Sequence, residues 1–266
     1  MDMVMAKKRV VLLRGVSLQK RGPRAAEGTE TGVCVGDRAD VPPSSLYRLM
    51  AWLSPAYPVG AFSYSSGLEW AVEAGDVTSA SELSGWLQSL LTDGAGYCDA
   101  VLFARSYRAC SSGDERALCA VAELAAALAP SRERFLETTA QGRAFLDVTQ
   151  AAWPCAAFDH LSKIWRGPVA YPLAVAVAAA GHDIPLEQTL AAYLQALAAN
   201  WISAGIRLIP LGQTDGQRVT ALLEPVVADA ARRALAASLE DAGSAVFRAD
   251  IAAMRHETQY TRLFRS

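Results

Sequence analysis

Residues 54–71 read SPAYPVGAFSYSSGLEWA, two prolines and two glycines framing aromatics and hydroxyls. Three serines beside glycines raise the question of a nucleophile or a phosphate cradle. A nucleophile elbow, G-x-S-x-G, fails because Ser63 stands where the first glycine must precede Ser65. The Gly60–Gly67 interval is glycine-flanked but lacks G-x-x-x-x-G-K-[ST]. Metal chemistry is no better served. His160, His182 and His256 are far apart, and His256-Glu257 opens like H-E-x-x-H with Tyr260 in place of the second histidine. The serines then serve turns and caps, His182 a helix end, and His256 an ordinary hydrogen bond. What remains is recognition: Tyr57, Pro58, Phe62, Tyr64 and Glu69 on a stiff turn, which loses little entropy on docking.

Two further stretches concentrate unusual residues. In NWISAGIRLIPLGQTDGQ, residues 200–217, Arg207 falls in the last turn of an otherwise apolar helix. A guanidinium there needs a carboxylate or helix-end carbonyls. Gln213, Thr214, Asp215 and Gln217 crowd the connection that follows, either as a capped corner or as a recognition site. In MRHETQYTRLFRS, residues 254–266, Tyr260, Leu263 and Phe264 alternate with Arg262 and Arg265. Aromatics with arginine anchor protein interfaces. The same residues could equally tuck against the chain's own core.

The elements that must position these residues read as helices. Leu46, Leu49, Met50 and Leu53 follow helical spacing after Pro43, with Ser44 or Ser45 as N-cap, and Pro55 stops the run. A second helix is expected from Phe62 to Ala74, closed by Gly75. A third opens at the Ser79/Glu82 capping box with a stripe at Leu83, Trp86, Leu87, Leu90 and Leu91. Further helices fit 97–111, 114–128, 131–149 and 168–180. A long one has Pro185 as its first residue and runs to Leu208. Another is opened by a Thr214/Gln217 box, runs to Leu239 and is bent at Pro225. A last one covers 244–258. No segment alternates with period two. The expectation is an all-α domain of about ten helices over 44–266, with an irregular tail from Tyr260. Residues 1–43, without sustained periodicity, read as a poorly ordered leader.

The bulk properties agree with a folded, soluble chain. Of 266 residues 52% are hydrophobic and 20% charged, so a sizeable core can form. A net charge of -2 gives no footprint for nucleic acid and no strong attraction to anionic membranes. The five cysteines, Cys34, Cys98, Cys110, Cys119 and Cys155, form no C-x-x-C pair. An odd number without a secretory signal points to a reducing cytoplasm.

Taken together, WLSPAYPVGAFSYSSGLEWAVEAGDV, NWISAGIRLIPLGQTDGQ and MRHETQYTRLFRS resemble the urease accessory protein UreF family, with a looser match at GPVAYPLAVAVAAAG. The resemblance covers about residues 46–266 in the family's order. It implies an all-α scaffold without catalytic residues or a cofactor of its own. It also implies partners: UreD (UreH in some organisms), the nickel-carrying GTPase UreG and the urease apoprotein, with the chain as a homodimer in the complex. Phe62 and Arg262 match positions tied to the dimer region and to GTPase recruitment. Tyr260, Leu263 and Phe264 match a C-terminal segment that orders on UreD. No nickel ligand transfers, and Ser66 falls at a variable position. The competing reading is a regulator of the GTPase that inserts Arg207 or Arg262 as an arginine finger. A metal-dependent hydrolase lacks convergent ligands.

Overall fold

A computed structural model describes residues 42–266. The leader expected over 1–43 lies almost wholly outside them. The described residues form eleven α-helices and two short 3₁₀ turns, with no strand among them, so the all-α expectation holds. The helices are α1 (Pro43–Trp52), α2 (Leu68–Glu73), α3 (Ala80–Asp93), α4 (Ala95–Ser112), α5 (Glu115–Ala127), α6 (Arg132–Ala152), α7 (Ala156–Ile164), α8 (Tyr171–Gly181), α9 (Leu186–Leu208), α10 (Gln213–Ala236) and α11 (Phe247–His256). The 3₁₀ turns are Ala61–Ser63 and Leu239–Asp241.

The core is built around α8. Its sequence YPLAVAVAAAG is apolar on every side, and Pro172 through Ala179 are all buried. A helix apolar all round must be surrounded, and α4, α6, α7 and α9 pack on it. Small side chains let the neighbours come close. At Gly142 on α6 an added Cβ would lie 2.1 Å from the Val169 carbonyl oxygen, so only glycine fits where the chain enters α8. The two long helices α9 and α10 pack against each other, and α3 and α4 close the other side of α10. Four cysteines, Cys98, Cys110, Cys119 and Cys155, are unbridged.

Side-chain caps open three of the helices. Ser79, Asp114 and Ser131 each accept a backbone N–H at the start of α3, α5 and α6. Five sequence expectations need correction. α1 begins at Pro43 with Pro42 at its N-cap, so Ser44 and Ser45 lie inside the helix and cap nothing. The run expected as one helix from Phe62 to Ala74 is split, because Gly60, Ser66 and Gly67 all have positive φ and turn the chain before α2. Pro185 is the N-cap of α9, not its first residue. α10 is opened by Asp215, which accepts the Gly212 N–H at 3.2 Å, instead of by Thr214 and Gln217. α7 has no counterpart among the expected helices; its short amphipathic stretch covers α8 with Phe158 and Leu161.

One half-buried carboxyl couples the fold to pH. Burial pushes Asp99 on α4 up to about 6, against the Arg134 charge and the Tyr193 hydroxyl, which donates to it at 2.9 Å. A carboxyl raised in the folded state binds a proton that the unfolded chain has already lost. Its contribution is therefore complete below the unfolded value near 4 and is lost as pH rises through about 6. Asp99→Asn keeps an acceptor for Tyr193 without the ionisation. Relative to wild type it should gain about 2–3 kcal/mol between pH 4 and pH 8. Urea unfolding at both pH values checks this; an unchanged difference would show that folding does not move the Asp99 titration.

Candidate partner-binding site

Parts of the three unusual stretches meet: the turn, Trp201 and Arg207 of α9, and the tail. The 61–63 turn packs on α9, and α11 packs on α2 and α6. The tail after α11 then runs back to the turn. The Arg265 N–H donates to the Ser63 carbonyl at 2.9 Å, and the Ser65 N–H donates to the Ser266 carbonyl oxygen at 2.7 Å. The Ser65 hydroxyl donates to that same oxygen. The close approach of α2 to α11 depends on Gly67, whose φ is +81° and where a Cβ would sit 2.6 Å from the Ala253 nitrogen.

Beneath this junction lies a buried polar network. His256, fully buried, places Nδ1 2.6 Å from Glu133 and Nε2 3.1 Å from Glu69. A neutral imidazole has one N–H and can satisfy only one carboxylate; the doubly protonated ring donates to both. Glu69 also accepts the backbone N–H groups of Leu263 at 2.6 Å and Phe264 at 2.9 Å. Glu133 accepts from Arg262 at 2.6 Å. Deeper in, Arg134 pairs with Glu137, and the Ser66 hydroxyl accepts from Arg134 at 2.7 Å and from the Trp201 indole at 2.9 Å. Ser66 donates in turn to Glu137 at 3.0 Å, and Glu137 also accepts from the Ser266 hydroxyl. The carboxylates of this end are thus consumed inside the molecule.

Ser66 is a finding that sequence reasoning missed. As a residue at a variable position it carries little weight in the sequence, yet it is buried with φ at 57° and holds three partners. An L-residue there carries about 1–2 kcal/mol of backbone strain. Ser66→Gly should relieve that strain but orphan the Arg134 and Trp201 donors, whereas Ser66→Ala keeps the strain and orphans them too. We expect Ser66→Ala to cost about 2 kcal/mol or more and Ser66→Gly roughly 1 kcal/mol less. Urea unfolding of both tests it; equal losses would mean that the positive φ is unstrained.

The predicted site residues separate into two groups. Tyr64 and Glu69 are buried, and Tyr57 is half-buried, sharing a 2.8 Å hydrogen bond with Thr149 and packing its ring on Phe145 and Trp153. These hold the turn from inside. Phe264 is buried as well, with the Arg207 guanidinium 4.4 Å from its ring centroid. Arg207 also donates to the Ser203 carbonyl at 3.1 Å, so the partner it required is a helix carbonyl and an aromatic face, not a carboxylate. Pro58, Phe62, Tyr260, Leu263, Gln213 and Gln217 are exposed; Phe62 and Leu263 keep 66% and 65% of their surface open. Asp215 caps α10 and pairs with Arg218 at 2.8 Å. Glu257, which in the sequence sits beside His256 as part of a broken metal motif, caps α6 by accepting from the Arg132 and Glu133 N–H groups. Among the described residues no group of three or more His, Cys, Asp or Glu side chains is placed to hold a metal ion.

A family model for UreF matches residues 77–224. The urease accessory protein UreF of Rhodopseudomonas palustris (strain BisA53) is 61% identical over 223 residues, covering 84% of this chain and 94% of the relative. The namesake protein of Bradyrhizobium diazoefficiens is 58% identical over 238 residues, covering 90% and 98%. The chain belongs to the urease accessory protein UreF family. Its place in urease maturation as an accessory protein follows, and the all-α helical architecture is the form that role takes here. The family match 77–224 stops short of both the Phe62 turn and the tail, so the region where they meet is characterised by its geometry. No helix among the described residues is long and apolar enough to cross a membrane.

Proposed function

We propose that the chain is a non-enzymatic scaffold of nickel insertion into urease. It binds UreD (UreH), recruits the GTPase UreG to the urease apoprotein, and acts as a homodimer in the cytoplasm without a cofactor of its own. The observation that carries this reading is the junction of turn and tail. A rigid aromatic turn is tied by backbone hydrogen bonds to the last residues of the chain, and Phe62 and Leu263 stand open on its surface. Exposed aromatics on a prearranged backbone suit docking, because little entropy is left to lose. The exposed stripe Phe247, Ile251 and Met254 on α11, at i, i+4 and i+7, continues toward Tyr260 and supports a helix-face contact with UreD.

The alternative, a regulator that inserts an arginine into the GTPase, finds less support. Arg207 is stacked on Phe264 and Arg262 is paired with Glu133, so either finger must first be released. The test is co-purification with UreD and UreG separately. Phe62→Ala should weaken UreG capture or dimerisation about tenfold while leaving helicity and thermal stability unchanged, since its ring is exposed. Wild-type capture by this variant would reduce the turn to a structural corner. A GTP hydrolysis assay with and without the chain separates scaffold from regulator.

A further inference from the structure

Two arginines of the junction stand without an ion-pair partner among the described residues. Arg207 and Arg265 have no carboxylate partner among the described residues, while nearby Glu69, Glu133 and Glu137 are each engaged inward with His256, Arg262 and Arg134. Arg265 is exposed and fixed by its own N–H to Ser63, one residue from Phe62. The exposed Arg207 holds its guanidinium carbon 4.4 Å from the ring centroid of Phe264, which lies between Leu263 and Arg265 in sequence, and only its Nε is engaged, with the Ser203 carbonyl. Two exposed cations and two open apolar side chains are thus carried by the segments that meet at the junction, in a chain whose overall charge is -2.

The geometry points to a patch formed by Phe62, Leu263, Arg207 and Arg265 that docks on a protein surface presenting carboxylates around an apolar socket. A guanidinium placed over an aromatic ring loses little freedom on pairing, and its free N–H groups suit a bidentate carboxylate contact. The apolar pair makes a folded protein surface the better fit than a phosphate-rich one, and the negative net charge disfavours nucleic acid and anionic membranes. The inference rests on the reading above, in which this junction recruits the GTPase, and it specifies the chemistry of the surface recognised.

The experiment measures the affinity of the purified UreG for the chain in complex with UreD, at about 50 and about 300 mM salt, a range over which surface charge pairs are progressively screened. Four chains are compared: wild type, Phe62→Ala, Arg265→Glu, and the pair Arg207→Gln with Arg265→Gln. The paired neutral variant should bind roughly ten- to a hundredfold more weakly at low salt and lose most of the salt dependence. Arg265→Glu, which touches the tail only through an exposed side chain, should weaken binding at least as much as neutralisation of that residue and leave thermal unfolding unchanged. If Phe62→Ala weakens binding but both arginine variants bind as wild type at either salt, the acidic-surface inference is overturned and the recruiting turn survives. If all three variants bind as wild type, the recruiting turn itself fails, and the inference with it. Phosphatidylserine vesicles that retain the wild-type chain but not the paired variant would place a membrane on the patch and overturn it as well.

Discussion

Glu69→Ala is expected to free the C-terminal tail and to lower stability by about 3 kcal/mol. Glu69 accepts from His256 and from the N–H groups of Leu263 and Phe264, and it is buried. Removing it leaves the His256 ring and two backbone N–H groups without their acceptor, each buried unpaired group costing about 1–3 kcal/mol. The lower end applies here, since the tail can lift away and let water reach His256. Glu69→Gln should do little better. Its amide offers one acceptor for three donors, and its NH₂ group meets N–H groups that cannot accept. Glu187→Ala on the exposed side of α9 serves as the comparison and should stay within about 0.5 kcal/mol. Urea unfolding reads the stability, and trypsin cleavage at Arg262 and Arg265 reads the tail. Protection equal to wild type in Glu69→Ala would show that the backbone pairing with Ser63 and Ser65 holds the tail alone.

This network also marks where the sequence is legible and where it is not. Helices whose apolar residues follow the period, α3 and α9 above all, are readable almost to their ends, because leucines repeated at helical spacing form a stripe that has to be buried. On α6 the inward stripe is Arg134, Glu137, Gln141, Phe145 and Thr149. The period is present, but polar types at every position except Phe145 disguise it as a solvated face. The Arg134/Glu137 spacing is the available signal, and it reads equally well as a surface pair. Phe62, Arg207, Leu263 and Arg265 stand out by type, yet their meeting depends on the tail's return to a turn near the start of the domain, which no local pattern encodes. An ordinary hydrogen-bonding role for His256 is right in kind; its place between two carboxylates follows only from the packing of α11 on α2 and α6. The Phe62–Ala74 stretch fails as a helix for a reason visible only in the backbone, the left-handed Ser66 next to Gly67.

Phe264→Ala should have a smaller effect on global unfolding than its burial suggests, and a larger effect on the tail. Deleting a phenylalanine ring from a core costs about 3–5 kcal/mol when the site must stay folded. Phe264 belongs to a short segment beyond α11 that can detach by itself. Ordering the residues after Gln259 costs on the order of 10 kcal/mol, set against the ring's burial, its contact with Arg207, and the bonds to Glu69, Ser63 and Ser65. The net docking free energy is a small difference between these, so losing the ring is enough to undock the whole segment. Once it is undocked, further damage to the tail has no effect on the rest of the fold. Phe264→Ala and truncation after Gln259 should therefore show the same stability, within about 0.5 kcal/mol of each other, and both should expose Glu69 and Glu137 to water. Both should also lose UreD, because Tyr260 and the tail backbone keep their place beside α11 only when the tail is seated. Arg262→Ala should differ: it removes one exposed bond to Glu133, leaves Phe264 in place, keeps UreD and impairs UreG capture. Should Phe264→Ala prove several kcal/mol less stable than the truncated chain, the tail is not an independently docking segment but part of the core, and the partner surface must then be as rigid as the helices that carry it.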